Sequence, residues 1–262
     1  MRKGYADTPV GQIHYRELGA GPPLLLLHMT ASSSVVFERV APLLAQGRRV
    51  IAMDTPGFGL SDPPPGPDGA IEHYGRAAVG LLDALGLAEA DILGFHTGAT
   101  IGLELATAAP ARCRSLILAA VLLLEDAAAD REWWRERILK PWRPDGSGEF
   151  LAAHLEWIRL YVPPTDGEFF RSELIARLQA GTDNWWAPNG VIDYDFAGRL
   201  AQVGCPLLLL NPREDNLYAA TVRAAGLRPD AVYVEIDGAD GAPMTHPAEF
   251  AAAVNAFLEG LS

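Results

Sequence analysis

Only two cysteines, Cys113 and Cys205, occur among the 262 residues. They are too few and too far apart in the chain for a disulfide framework or a cysteine metal motif. Both border apolar, strand-like runs and read as buried thiols. No apolar stretch approaches the ~18 residues of a membrane span. The opening Met1-Arg2-Lys3 is basic, yet no apolar signal core follows it, so a cytoplasmic protein is the expectation. Basic residues are outnumbered, 21 Lys and Arg against 33 Asp and Glu, giving a net charge of −12. Nucleic acid is excluded, because a phosphate backbone needs a basic footprint. No P-loop is present, and Gly57-Phe58-Gly59 is too short for a dinucleotide fingerprint. No metal-ligand spacing occurs either. The expectation is therefore no cofactor, no metal and no membrane, with homodimerisation left open.

Hydrophobic residues make up 49% of the chain and charged residues 21%, the balance of an ordinary globular protein. Gly11 to Leu18 alternates like a strand after a turn. Residues 24–28, 49–54, 90–95, 115–124, 206–211 and 231–237 are short apolar runs of the kind found in parallel strands covered on both faces. Helical stretches lie between them at 33–46, 71–85, 99–109, 217–226 and 246–261. This alternation predicts a doubly wound, mostly parallel α/β sheet, in which ligands bind at the carboxyl ends of the strands.

Residues 126–198 break the rhythm. They are helix-rich and hold all six tryptophans. The reading is a core of residues 1–125 and 199–262 with a helical, Trp-rich cap of residues 126–198 between them. Most of these rings pack the cap onto the core. The pairs Trp133-Trp134 and Trp185-Trp186 are the candidates for an aromatic wall around a small-molecule substrate. His154 reads as an exposed cap-helix position.

Five ordered segments carry a resemblance. They are Leu24-Leu25-Leu26-Leu27-His28, Asp54-Thr55-Pro56-Gly57-Phe58-Gly59, Gly94-Phe95-His96-Thr97-Gly98, Leu208-Leu209-Leu210-Asn211-Pro212 and His246-Pro247-Ala248-Glu249-Phe250. Together they closely resemble the α/β-hydrolase superfamily over essentially the whole chain. The resemblance implies an α/β-hydrolase core with an inserted helical cap. It also implies a strand, sharp turn and helix around residue 96, the nucleophile elbow of that fold. Here His96 stands where the family carries a nucleophilic serine. The family's late acid falls on Glu214, three residues after Asn211, with Asp215 the neighbouring candidate. Its base histidine falls on Asp240 or Gly241. His246 begins or caps the last helix and points away from the elbow.

The family's serine and histidine are thus both missing, and the positions suggest an exchange: His96 at the elbow, Asp240 where the base would stand. Oriented by Asp240 or a nearby acid, His96 is suited to act as a general base near neutral pH, or as a nucleophile forming an acyl-imidazole. Glu125, at the end of the sixth strand, is a reserve partner. The oxyanion hole implied by the resemblance uses the backbone N–H groups of Met29 and Thr97, with Thr30 adjacent. His28, Asp54 and Asp62 read as loop architecture, and His14 and His73 as structural.

Three functions are compatible with this pattern. The first is a hydrolase of an ester, lactone or similar bond in a small, partly apolar molecule. The second is a non-hydrolytic proton-transfer enzyme (lyase, decarboxylase, cyclase or isomerase). The third is a catalytically silent ligand-binding protein or scaffold.

Overall fold

The computed structural model describes residues 1–64, 66, 70–124, 131–133, 136, 146–180 and 186–261. Eight strands form one sheet: β1 (Arg2–Thr8), β2 (Gly11–Leu18), β3 (Pro23–Leu27), β4 (Arg49–Met53), β5 (Ala90–Phe95), β6 (Cys113–Ala119), β7 (Leu207–Pro212) and β8 (Val232–Ile236). Their spatial order is β1-β2-β4-β3-β5-β6-β7-β8. The β1–β2 and β2–β4 pairs are antiparallel and all the others parallel. The described helices are α1 (Ala41–Leu44), α2 (Ile71–Ala84), α3 (Thr97–Ala108), α4 (Glu149–Tyr161), α5 (Gly167–Gln179), α6 (Trp186–Asp193), α7 (Phe196–Leu200), α8 (Tyr218–Leu227), α9 (Ala242–Thr245) and α10 (Pro247–Glu259).

The continuous apolar runs are explained by burial on both faces. Leu25 and Leu27 of β3 enter one hydrophobic cluster, while Leu24 and Leu26 enter the other. All four are fully buried, and each contributes roughly 1.5–3 kcal/mol on leaving water. Successive side chains of a strand point to opposite faces, so a strand covered twice has no polar position to spare.

Three expectations need correction. The sequence carries no signal for β1 because this edge strand bears charged residues and no apolar run; it is fixed by pairing with β2. The predicted helix 33–46 divides into a 3₁₀ turn, Ser34–Phe37, and the one-turn α1. Pro42 near the start of α1 explains the break, since proline has no N–H to donate to a preceding turn and is tolerated only in the first turn of a helix. The strand expected over 115–124 ends at Ala119. Ala120 then takes a positive φ of 52°, and the Val121 N–H donates to the Thr221 hydroxyl at 3.0 Å rather than to β7.

Helices α4 to α7 all lie between β6 and β7 in the chain, within the region predicted to be inserted. Among the described residues, no helix is long and apolar enough to cross a membrane.

Candidate active site

β5 delivers the chain to His96, which has φ 52° and ψ −117°. A positive φ costs a residue with a Cβ about 1–3 kcal/mol and persists only where the surroundings enforce it. Gly94 and Gly98 allow the turn. A Cβ on Gly94 would collide with the backbone of Gly98, and one on Gly98 with the carbonyl of Leu27. The His96 N–H donates to the Ala119 carbonyl at 3.0 Å, and the His96 carbonyl accepts from the Ala99 N–H at 2.8 Å. Strand, turn and helix are thereby pinned together, and the imidazole projects beyond the carboxyl end of β5.

The acid partner comes from the loop after β7. Asp215 Oδ2 lies 2.8 Å from His96 Nε2, and Asp215 Oδ1 accepts from the Leu217 N–H at 2.8 Å. β7 runs one residue past Asn211, so the third residue after the strand is Asp215 and not Glu214. Glu214 is exposed, and its N–H donates to the Gly238 carbonyl. The structure therefore does not bring Glu214 to the imidazole. Asp240, from the loop after β8, is held by Asn216, whose N–H and Nδ2 donate to the two carboxylate oxygens at 2.9 and 2.7 Å. Asp240 thus stands beside the dyad, and the acid bonded to His96 is Asp215.

Burial pulls the His96 pKa down, but the charge and hydrogen bond of Asp215, with the charge of Asp240 adding, raise it above 6.5 on balance. Burial likewise raises the Asp240 pKa; the charge of His96 opposes this and the charge of Asp215 reinforces it. Two carboxylates beside one imidazole favour holding a proton in the cluster.

His96, Asp215 and Asp240 each place one ligand atom within 4.8 Å of the other two, close enough to hold a metal ion. Sequence spacing hides this group because its members come from three separate loops. Were Nε2 and Oδ2 both to ligate a tetrahedral ion, bonds near 2.0–2.2 Å would put them roughly 3.3–3.6 Å apart, against the 2.8 Å hydrogen bond present.

Above the dyad is a cavity of about 50 Å³ lined by Met29, Thr30, Thr97, His96, Asp240 and Asn216 on the core side. Trp157, Tyr161, Arg177, Pro188 and Val191 line it from α4, α5 and α6. Arg177 is buried and is the one Lys or Arg among these lining residues. Its Nη2 donates to the Tyr161 hydroxyl at 3.1 Å. That hydroxyl donates to Glu173 at 2.7 Å, and Glu173 also accepts from the Ser32 hydroxyl at 2.7 Å. The three residues expected to form an oxyanion hole, Met29, Thr30 and Thr97, all reach the cavity. The Thr30 N–H donates to Thr97 Oγ1 at 3.3 Å, a long contact that a ligand oxygen would have to displace.

The aromatic wall differs from expectation. Trp133 is 47% exposed and Trp186 is buried, and neither lines the cavity. Trp134 and Trp185 lie outside the described residues, as does Glu125. The ring that does line it is Trp157, four residues before Tyr161 on α4, so both fall on one helix face. That spacing was legible in the sequence, as was Asn216 beside Asp215; nothing local singled out Arg177. His154 is buried and not exposed, and burial, with the Arg177 charge adding, lowers its pKa to about 4. His246 caps α10 and pairs with the Thr245 hydroxyl. His28 bonds Met29 and Thr55 within the core loops, and His14 bonds Asp54.

Residues 22–247 match the alpha/beta hydrolase fold family, and the chain belongs to that family. A protein of Azorhizobium caulinodans assigned as a carbamate hydrolase is 29% identical over 240 residues, which cover 89% of each chain. A 2-hydroxy-6-oxononadienedioate/2-hydroxy-6-oxononatrienedioate hydrolase of Pseudomonas putida is 39% identical over 123 residues, covering 45% of this chain and 42% of its own. A hydrolase structure from Pseudomonas aeruginosa PA01 superposes with a TM-score of 0.83 at 27% identity over 98% of both chains. The relatives are hydrolases, which supports an enzyme of the hydrolase superfamily.

Proposed function

We infer that this chain hydrolyses a small, partly apolar molecule bearing an anionic group, with His96 as the general base. The observation that carries this reading is the 2.8 Å contact of His96 Nε2 with Asp215 at the floor of a cavity. If Nε2–H donates to the carboxylate, the lone pair resides on Nδ1 and is available to take a proton from water. Asp215 fixes the tautomer and stabilises the cation that forms, the role a carboxylate plays for a catalytic histidine elsewhere. A base so placed contributes about 10²–10⁴-fold. Nδ1 is flanked by the histidine's own Cβ, which crowds attack on an acyl carbon and favours the base role over an acyl-imidazole. Protonated His96 then returns its proton to the leaving group, with Asp240 beside it on the cavity wall.

Trp157, Val191 and Pro188 supply apolar contact from the helical insertion, which acts as a cap. Arg177 supplies charge for a carboxylate on the substrate. The Pseudomonas putida relative is named for dicarboxylate substrates, and the Azorhizobium protein for a carbamate, so ester, lactone, carbamate and carbon–carbon bonds next to a carbonyl belong in the substrate panel. The test is turnover of this panel, with and without a carboxylate, by wild type, His96→Asn and Asp215→Asn. Loss of activity in both variants supports the reading; full activity in His96→Asn overturns it.

A second reading follows from Asp240. An acid and a base on one cavity floor also suit proton transfer without hydrolysis. Reaction in H₂¹⁸O separates the two, since hydrolysis places the label in product, whereas proton transfer in D₂O exchanges substrate hydrogen.

A further inference from the structure

At the opposite end of the sheet, the two cysteine sulfurs lie 3.7 Å apart. Cys113 opens β6 and is buried, while Cys205 lies just before β7 and is half-buried. They are not two unrelated buried thiols, as the sequence suggests. β6 and β7 are paired neighbours, with Leu116 opposite Leu207. This pairing brings together residues 92 positions apart. The insertion bearing α4 to α7 leaves the core beyond the far end of β6, after Ala119, and returns before β7, so Cys205 lies where the chain re-enters the sheet and Cys113 at the start of the neighbouring strand.

We propose that Cys113 and Cys205 are an oxidative modification site, at which a hydroperoxide drives formation of an intramolecular disulfide that clamps the start of β6 to the segment leading into β7. Cys205 is the more accessible sulfur and the one attacked first. Its contact with Cys113 lowers its pKa; burial opposes this, and the Arg228 charge assists it. The thiolate is the form that reacts with peroxides. In the first step the Cys205 sulfur takes one oxygen from the hydroperoxide, the O–O bond breaks, and an alcohol leaves as Cys205 becomes a sulfenic acid. In the second step the Cys113 sulfur attacks Cys205, the S–O bond breaks, and water leaves with the Cys113 proton. Two thiols are oxidised, one hydroperoxide is reduced, and the products are a disulfide, an alcohol and water. No large movement is needed, because the sulfurs already touch.

The bridge would close a loop that contains the whole insertion. It stabilises chiefly by restricting the unfolded chain, more strongly for long loops. β6 spans Cys113 to Ala119, and Ala119 bonds the His96 N–H. At ~3.3 Å per residue the thiols are about 20 Å from the elbow, so the chemistry at His96 is spared. The proposal is independent of what that site does.

The experiment treats the full chain with tert-butyl hydroperoxide and counts thiols after denaturation, with intact mass and non-reducing electrophoresis in parallel. The expected result is a fall from two thiols to none, a mass lower by two hydrogens, and a monomeric band. Cys113→Ser should stop at a Cys205 sulfenic acid that dimedone traps, and Cys205→Ser should keep its Cys113 thiol. Oxidised wild type should melt roughly 5–10 °C higher than reduced, a shift absent from both variants. Two surviving thiols, oxygen adducts without the loss of two hydrogens, or cross-linked dimers would overturn the site. An oxidised protein that melts no higher would overturn the clamp.

Discussion

His96 and Asp215, 119 positions apart in the chain, meet through a hydrogen bond of 2.8 Å between Nε2 and Oδ2. One histidine thus bridges directly from the elbow to the acid loop, where the family's arrangement inserts a second histidine between them. The imidazole alone spans that distance, and Asp240 beside it is bonded to Asn216.

Removing the imidazole should lower kcat/KM by about 10²–10⁴-fold, the scale of a positioned general base. His96→Asn is the better variant, because asparagine tolerates positive φ more readily than alanine. Circular dichroism and the melting temperature should stay close to wild type, and turnover of the best panel substrate gives the readout.

The pH profile of kcat/KM should rise on a limb above pH 6.5, since the raised His96 pKa delays formation of the neutral base. Asp215→Asn removes the larger of the two raising charges and should shift the limb to lower pH. Asp240→Asn should shift it in the same direction by less. A limb unmoved by Asp215→Asn would separate His96 from the titrating group.

Stability should fall as pH rises through the His96 transition. Because the folded-state pKa of His96 lies above its unfolded value, the folded protein binds more protons, and the stabilisation is fully present below the unfolded pKa. It is lost as pH passes through the folded pKa. Asp240, also raised, acts in the same sense at lower pH. Denaturant titrations across pH 5 to 9 should show this slope in wild type and a flatter one in His96→Gln.

Arg177→Gln should raise KM for carboxylate-bearing substrates by about 10–100-fold, the scale of a hydrogen bond to a charged group, and leave neutral ones little changed. Arg177→Lys, which retains the charge, should recover part of the loss. Equal effects on both substrate classes would assign Arg177 to packing through Tyr161 and Glu173.

Gly98→Ala should destabilise the fold by about 3 kcal/mol or more, because the added methyl meets the Leu27 backbone, which cannot give way as a side chain would. Denaturant midpoints, or loss of soluble protein, would register it.

The fold was legible because its signals are local. Leu24–Leu27, Ala90–Phe95 and Leu208–Leu210 are apolar runs that only a doubly covered sheet accommodates, and Gly94 and Gly98 mark a tight turn wherever it is placed. β1 escaped notice because an edge strand such as Arg2–Thr8 is held by its partner's backbone and needs no apolar pattern. The break at Pro42 and the early end of β6 turned on local backbone chemistry that averaged propensity overlooks.

The sequence by itself determined the layered α/β architecture, the elbow and the presence of His96 upon it, since these rest on hydrophobic period and on residues too small or too special to be replaced. Only the tertiary structure decided which carboxylate meets His96, that Trp157 and Arg177 line the cavity and Trp133 does not, and that Cys113 touches Cys205. Those relations depend on strand register and on where a loop ends to within one residue. A shift of one position, from Asn211 to Pro212 at the end of β7, moves the acid from Glu214 to Asp215.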